Sequence, residues 1–288
     1  MDNQREVRDF LTTRRARVTP EQAGILPGAR RRVPGLRREE VAMLAGVSTD
    51  YYVQMERGSL AGVSAQVLDA VATALQLDDV EAAHLQDLAR AAAPVGARRR
   101  RPAPTAIRGS LQLFLDAITD APAWITNVRA DVVATNAVGA ALLAPLLDDP
   151  VNQRNNARFT FFSPAARNFY PDWEHGADSL VASLRTRAGQ HPHDKNLTDL
   201  IGELVTRSDD FRRRWSAHNV RVHRSGTKRI HHPDVGDLEF TFEGMELPDN
   251  PGWMLYAYLS PAGSPTAERV KLLASLAATT ATASTTHD

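Results

Sequence analysis

Residues 94–105, PVGARRRRPAPT, constrain this chain more than any other stretch. Its three prolines break regular backbone hydrogen bonding, and its four arginines have no place in a core. The segment reads as a semi-stiff basic linker, and it predicts two separately cored domains, over 1–93 and 106–278. Composition changes across it: all four tryptophans, and eight of the nine phenylalanines (all but Phe10), follow residue 105. With 43% hydrophobic and 24% charged residues among 288, there is material for two cores. The tail TTATASTTHD, 279–288, is expected to be disordered. No apolar run approaches the roughly 18 residues of a membrane helix, and the N-terminus has no apolar leader. The absence of cysteine excludes disulfides, thiolate metal sites and thiol nucleophiles. A cytoplasmic protein with no membrane span is the expectation.

The balanced charge, 34 basic against 34 acidic residues, hides a strong asymmetry. Residues 1–38 carry ten arginines against four acids, whereas 39–90 carry two against nine. A basic end followed by the Arg98–Arg101 run points to a polyanion, or to an ordinary solvated face. The first 93 residues read as helical. Val7, Phe10 and Leu11 share one face of 3–17, and a Pro/Gly-rich loop follows at 18–36. Short helices are then expected over Arg37–Ala45 and Thr49–Arg57, with further helices starting at Ser64 and at Asp78 or Asp79.

GLRREEVAMLAGVSTDYYVQMERG, residues 35–58, fits a helix-turn-helix. Ala42 suits a close helix approach, Gly46 makes the turn, and Val47, Tyr52 and Met55 face inward. The second helix is left with Thr49, Asp50, Tyr51, Val53 and Gln54 outward, in the position of a helix that enters the DNA major groove. Gln54 is shaped to pair bidentately with adenine; Thr49 can meet a base edge or a thymine methyl, and Asp50 can accept from cytosine. Arg37, Arg38 and the Ser48 hydroxyl are placed for phosphate. Arg57 closes the DNA-facing set, Arg37, Arg38, Ser48, Thr49, Asp50, Tyr51, Gln54 and Arg57, in a structural rather than base-reading role. Glu56 is expected to pair with a basic group of its own domain. Helix-turn-helix proteins usually pair to read two half-sites, so a homodimer on a double-stranded operator is the expected assembly.

The segment REEVAMLAGVSTDYYVQMERG resembles the helix-turn-helix of Xre-type regulators. The GLRREEVA opening, the Tyr51-Tyr52 pair, Asp131–Ala137, the stretch from Arg154-Asn155 to Phe162, Phe211–Arg221 and His232–Gly236 are together similar to the MmyB-like regulators. The resemblance spans nearly the whole chain and departs at Asn136, which follows Thr135 where a Trp-Asn pair is expected. It implies a transcription regulator with an N-terminal DNA-binding domain. It further implies a PAS-like C-terminal domain that binds a fatty-acid-like effector and helps dimerisation.

The residues of the second half predict an α+β layout, with an antiparallel sheet carrying helices on one face. A helix is expected over Ile107–Ile118 and a hairpin over Ala123–Val128 and Val132–Asn136. Helices follow at 137–147, 178–189, 197–207, 209–218 and 265–277. Strands alternate over Asn219–His223, Lys228–His231, Leu238–Phe242 and Trp253–Leu259. The fold class is thus an all-α helix-turn-helix domain plus an α+β domain. Phe159, Phe161, Phe162, Phe169, Trp173, Phe211 and Trp215 are either core or the walls of an apolar pocket. Arg154, Arg158, Arg214 and His218 are the nearby groups able to hold a carboxylate. The predicted ligand set is Arg154, Arg158, Phe161, Phe169, Trp173, Arg214, Trp215 and His218. The alternative is a second domain that only dimerises. His191, His193, His231 and His232 lack the convergence of a metal site, and no nucleophile, phosphate-loop or dinucleotide motif is present, so neither catalysis, metal nor cofactor is expected.

Overall fold

The computed structural model describes residues 3–26, 31, 33–93, 107–220 and 224–285, with side chains to 276. The 94–105 linker and its arginine run lie outside the described residues. By packing, the chain forms two compact units. Unit 1 comprises 1–100, 181–198 and 213–222; unit 2 comprises 101–180, 199–212 and 223–288. The sequence suggests contiguous domains, so the transfer of 181–198 and 213–222 to the first unit is a structural finding.

Unit 1 holds α1 (Asn3–Arg17), α2 (Arg38–Leu44), α3 (Thr49–Glu56), α4 (Ala65–Ala74) and α5 (Asp79–Ala92). Local chemistry sets the starts of the last three. Ser48, Ser64 and Asp78 accept hydrogen bonds from the N–H groups of Tyr51, Val67 and Glu81, satisfying donors that a helix start leaves open. Val7, Phe10, Leu11, Val41, Tyr52, Met55, Leu68, Val71, Leu85 and Leu88 form one core, joined by the distant Val220. Residues 219 and 220 are therefore not a strand: Val220 is drawn into this helical core, and 221–223 lie outside the described residues.

A buried polar cluster completes unit 1. The Arg185 guanidinium donates to the Glu6 carboxylate and to the Trp215 carbonyl, lies 3.0 Å from His218 Nδ1, and stacks 3.8 Å from a ring of Trp215. Arg14 donates to the His218 carbonyl at 2.5 Å and pairs with Glu81 at 2.8 Å. Burial opposes the Glu6 charge, but hydrogen bonds from His218 and Arg185 and their positive field hold its carboxyl at about 2. His84 packs edge-on against Phe10, and burial pushes it down to about 4.

Unit 2 is built on an antiparallel sheet of β1 (Ala123–Thr126), β2 (Val132–Thr135), β3 (Ser225–His232), β4 (Gly236–Glu246) and β5 (Met254–Leu259), in the order β2-β1-β5-β4-β3. Alternation assigns the two faces. Trp124, Tyr256, Tyr258, Phe240, Leu238 and Ile230 point to the larger core, with α7 (Ala137–Leu142), α10 (Ala166–Phe169) and α14 (Pro265–Thr285). Ala123, Ile125, Ala134 and Leu255 face the other way, against Leu111, Leu115 and Ile118 around α6 (Gly109–Asp116). Helices thus lie on both faces, not one, because α6 has its own apolar stripe to bury. Asn136 ties the layers together. Its Oδ1 accepts from Ala123 N–H at 3.0 Å and from Gly139 N–H at 2.7 Å, while its Nδ2 donates to the Ile118 and Ala121 carbonyls.

The last helix runs to Thr285, well past the expected end at 277 and into the tail expected to be disordered. Its Ala/Thr-rich end contains no proline or glycine to stop it. Residues 286–288 lie outside the described residues. Unit 2 also contains α8 (Ala144–Leu147) and α9 (Asn156–Phe162); α11 (Trp173–Gln190), α12 (Lys195–Arg207) and α13 (Asp209–Trp215) each contribute residues to both units.

Candidate functional site

The segment between α2 and α3 is a four-residue turn in which Gly46 takes a left-handed backbone, φ +66°, that any larger residue would adopt under strain. Ala42 is buried and the Val47 N–H donates to its carbonyl at 3.0 Å, which draws the two helices together. On α3, Tyr52 and Met55 are fully buried, while Thr49, Asp50, Tyr51 and Gln54 are exposed. Tyr51, 37% exposed, is a large ring left on the surface. Arg57 caps the helix C-terminus and is exposed as well. The Ser48 oxygen accepts from Tyr51 N–H at 3.1 Å, so its hydroxyl proton remains available to an outside acceptor.

Behind this face one carboxylate organises the arginines. Glu56, 1% exposed, accepts from Arg15 Nε and Nη2 at 3.0 Å, from Arg38 at 3.1 and 3.2 Å, and from Thr12 at 3.1 Å. Burial works against its ionisation, yet the two arginines hold the carboxyl below the usual range. Arg38 is pinned at one edge of its guanidinium while its side chain stays 53% exposed beside α3. At the start of α2, Arg37 N–H donates to the Glu40 side chain at 2.6 Å, and Glu40 in turn holds Arg31. Of the sequence-predicted DNA set, Ser48, Thr49, Asp50, Tyr51, Gln54 and Arg57 are exposed on α3 or at its two ends, whereas Arg37 and Arg38 stand at the start of α2, Arg37 half-buried and Arg38 exposed.

Two family models match the chain: a helix-turn-helix domain over residues 6–85, and the MmyB-like transcription regulator ligand binding domain over 107–273. The second alone covers more than half of the chain. The chain belongs to the MmyB-like transcription regulators. With its helix-turn-helix domain, this MmyB-like protein is a DNA-binding transcription regulator. Comparison with curated protein sequences gave no match. Among the described residues, no helix is long and apolar enough to cross a membrane.

The ligand-binding family match places the second set of predicted residues in context. The eight do not all fall in one unit. Arg214, Trp215 and His218 belong to unit 1, with Trp215 stacked on Arg185 and His218 beside Glu6. Their spacing along the chain suggested proximity to the aromatic core, but the chain leaves unit 2 at Arg213. The other five stay in unit 2. Phe169 and Trp173 are buried, Phe161 packs edge-on against both Trp173 and Phe211, and Trp173 Nε1 donates to the Thr160 carbonyl at 3.0 Å. Arg158 is engaged by Glu203 at 2.9 and 3.0 Å, and Arg154 is exposed with a left-handed backbone, φ +57°. His191 and His193 join no cluster able to hold a metal among the described residues.

Sequence reasoning missed Arg185 and Lys228. Arg185 sits in the arginine-containing helix SLRTRAGQ, and nothing local marks it as buried against residues nearly 180 positions away. Lys228 carried a signal: it occupies the same strand face as Ile230 and His232, an inward position by period two.

Proposed function

We propose that this regulator reads a double-stranded operator as a homodimer, each copy laying α3 in the major groove of one half-site. In this reading Thr49, Asp50, Tyr51 and Gln54 meet base edges. Arg37, Arg38 and Ser48 hold phosphates, and Arg57 supports the helix end. The observation that carries it is the division of α3 into a sealed side, Tyr52, Met55 and Glu56, and an outward side of polar residues and one aromatic. Glu56 adds to the case, since a preset Arg38 loses less side-chain freedom on meeting a phosphate.

The second domain is then the sensor, binding a small apolar effector of the fatty-acid type; the aromatic interior and the ligand-binding family support this. A differential affinity of about 1–3 kcal/mol between DNA-competent and incompetent states suffices for control. Selection of bound fragments from random duplexes by the full-length protein tests the DNA part. A two-fold symmetric motif is expected, with half-sites about 34 Å apart. Recovery of random sequence would sink the reading.

A further inference from the structure

Lys228 is an unusual cation for its position. In β3 it faces Phe240 of β4 in register, on the inner side of the sheet with Ile230 and His232. Its Nζ lies 4.2 Å from the centroid of the Tyr170 ring. Above it runs the first part of α11, where Gly176 leaves space: a Cβ there would stand 3.1 Å from the ammonium. The wall continues through Phe240 to Tyr258, ring centroids 5.4 Å apart, and from Tyr258 to Trp124 at 4.5 Å.

The neighbouring arginines have partners. Arg158 is held by Glu203, and Arg167 by Asp210 while it stacks on Trp173. Lys228 has no carboxylate within ion-pair distance among the described residues. The acid that acts on it, Asp172, is clamped by Arg229, whose Nε and Nη2 donate to its two carboxylate oxygens. Burial accordingly pushes the amine down to about 8, with Asp172 opposing; it remains mostly protonated at neutral pH. A half-buried ammonium on an aromatic floor, lacking a counter-ion, is an incomplete pair. What completes it is a monoanion with an apolar body, its head on the amine and its body along the rings.

We propose that Lys228 is the charged anchor of the effector site, pairing through Nζ with the carboxylate of an amphipathic acid that lies against Tyr170, Phe240 and Tyr258. This rests on the reading of the second domain as a sensor of a fatty-acid-type effector and adds to it the residue that anchors the head group.

The test titrates the full-length protein at neutral pH with dodecanoate and, separately, with dodecan-1-ol, followed by calorimetry. Wild type is expected to bind the acid about tenfold more tightly than the alcohol, as a charge-assisted pair predicts. Lys228→Met is expected to lose that preference while keeping its affinity for the alcohol. Lys228→Arg is expected to retain most of it. An unliganded Lys228→Met protein should melt no lower than wild type, because a lone cation has been removed from an aromatic setting. Equal binding of acid and alcohol by wild type overturns the anchor without needing any variant. So does a Lys228→Met protein that still prefers the acid. If wild type binds neither amphiphile, the sensor reading fails first, and that outcome is distinct from a bound but charge-blind site.

Discussion

Glu56 shows how much a single buried carboxylate can set. Three side chains, Thr12, Arg15 and Arg38, donate to it, and it has almost no contact with water. Replacing it with Ala leaves the mostly buried Arg15 without a counter-charge, and the loss of stability is expected to be about 3–5 kcal/mol in urea unfolding. Arg38→Ala should behave differently. Its side chain is half exposed, so stability should change by less than about 1 kcal/mol. DNA binding should weaken uniformly across sequences, with the salt slope reduced by about 1. An unchanged salt slope would remove Arg38 from the phosphate contacts. The pairing of Glu56 with a basic group was legible in the sequence, because its helix position turns it inward toward an arginine-rich neighbour. Which arginines it takes was not, since Arg15 arrives from another helix.

At the scale of elements, the helix-turn-helix was legible because its determinants are local: a capping serine, a left-handed glycine and apolar residues at helical spacing. Gly58, just after α3, adds a constraint that spacing does not reveal. Its backbone has φ +103°, and a Cβ would stand 2.6 Å from the Gln4 carbonyl oxygen of α1. Gly58→Ala is therefore expected to cost roughly 1–3 kcal/mol and lower the melting temperature; an unchanged melting curve would show that α1 can move aside freely. On the outward face, Gln54→Ala should cost about 1–3 kcal/mol of operator affinity and relax selection at one base pair. If binding-site selection returned the wild-type motif unaltered, Gln54 would not be reading a base. Elements were missed where local pattern and packing part company. NARFTFF lacks a clear helical stripe, yet Asn155 caps it as α9 through the N–H groups of Ala157 and Arg158. Alternation at Asn219–His223 suggested a strand, but burial of Val220 in a distant helical core won.

For the whole molecule, the decisive fact is that unit 1 is not the N-terminal domain alone. Glu6, Phe10, Arg14 and His84 come from the first 93 residues, whereas Arg185, Trp215, His218 and Val220 come from far along the chain. The cluster also fixes a pH response. His84 is held near 4 against an ordinary 6.5, so the unfolded chain binds its proton first; the stability this contributes is complete above about 6.5 and falls as pH drops toward 4. Glu6, held at about 2 against 4.5, contributes stability that is complete above 4.5 and is lost as pH falls further. Both act in one direction, and between pH 6 and 4.5 unfolding free energy should fall by up to about 1.4 kcal/mol per pH unit through His84. A midpoint in urea that does not move over that window would mean His84 is hydrated. A fragment ending at residue 93 sharpens the argument. Without 181–198 and 213–222 it uncovers part of the face formed by Glu6, Phe10 and His84. Its stability should drop by about 2 kcal/mol or more, the scale of exposing one large side chain. Its acid lability should fade as well, because a hydrated His84 titrates alike folded and unfolded. If the fragment instead matched the α1 hydrogen-exchange protection and the pH profile of the full chain, the distant segments would be bystanders. The DNA-binding head would then fold independently of the chain that follows it.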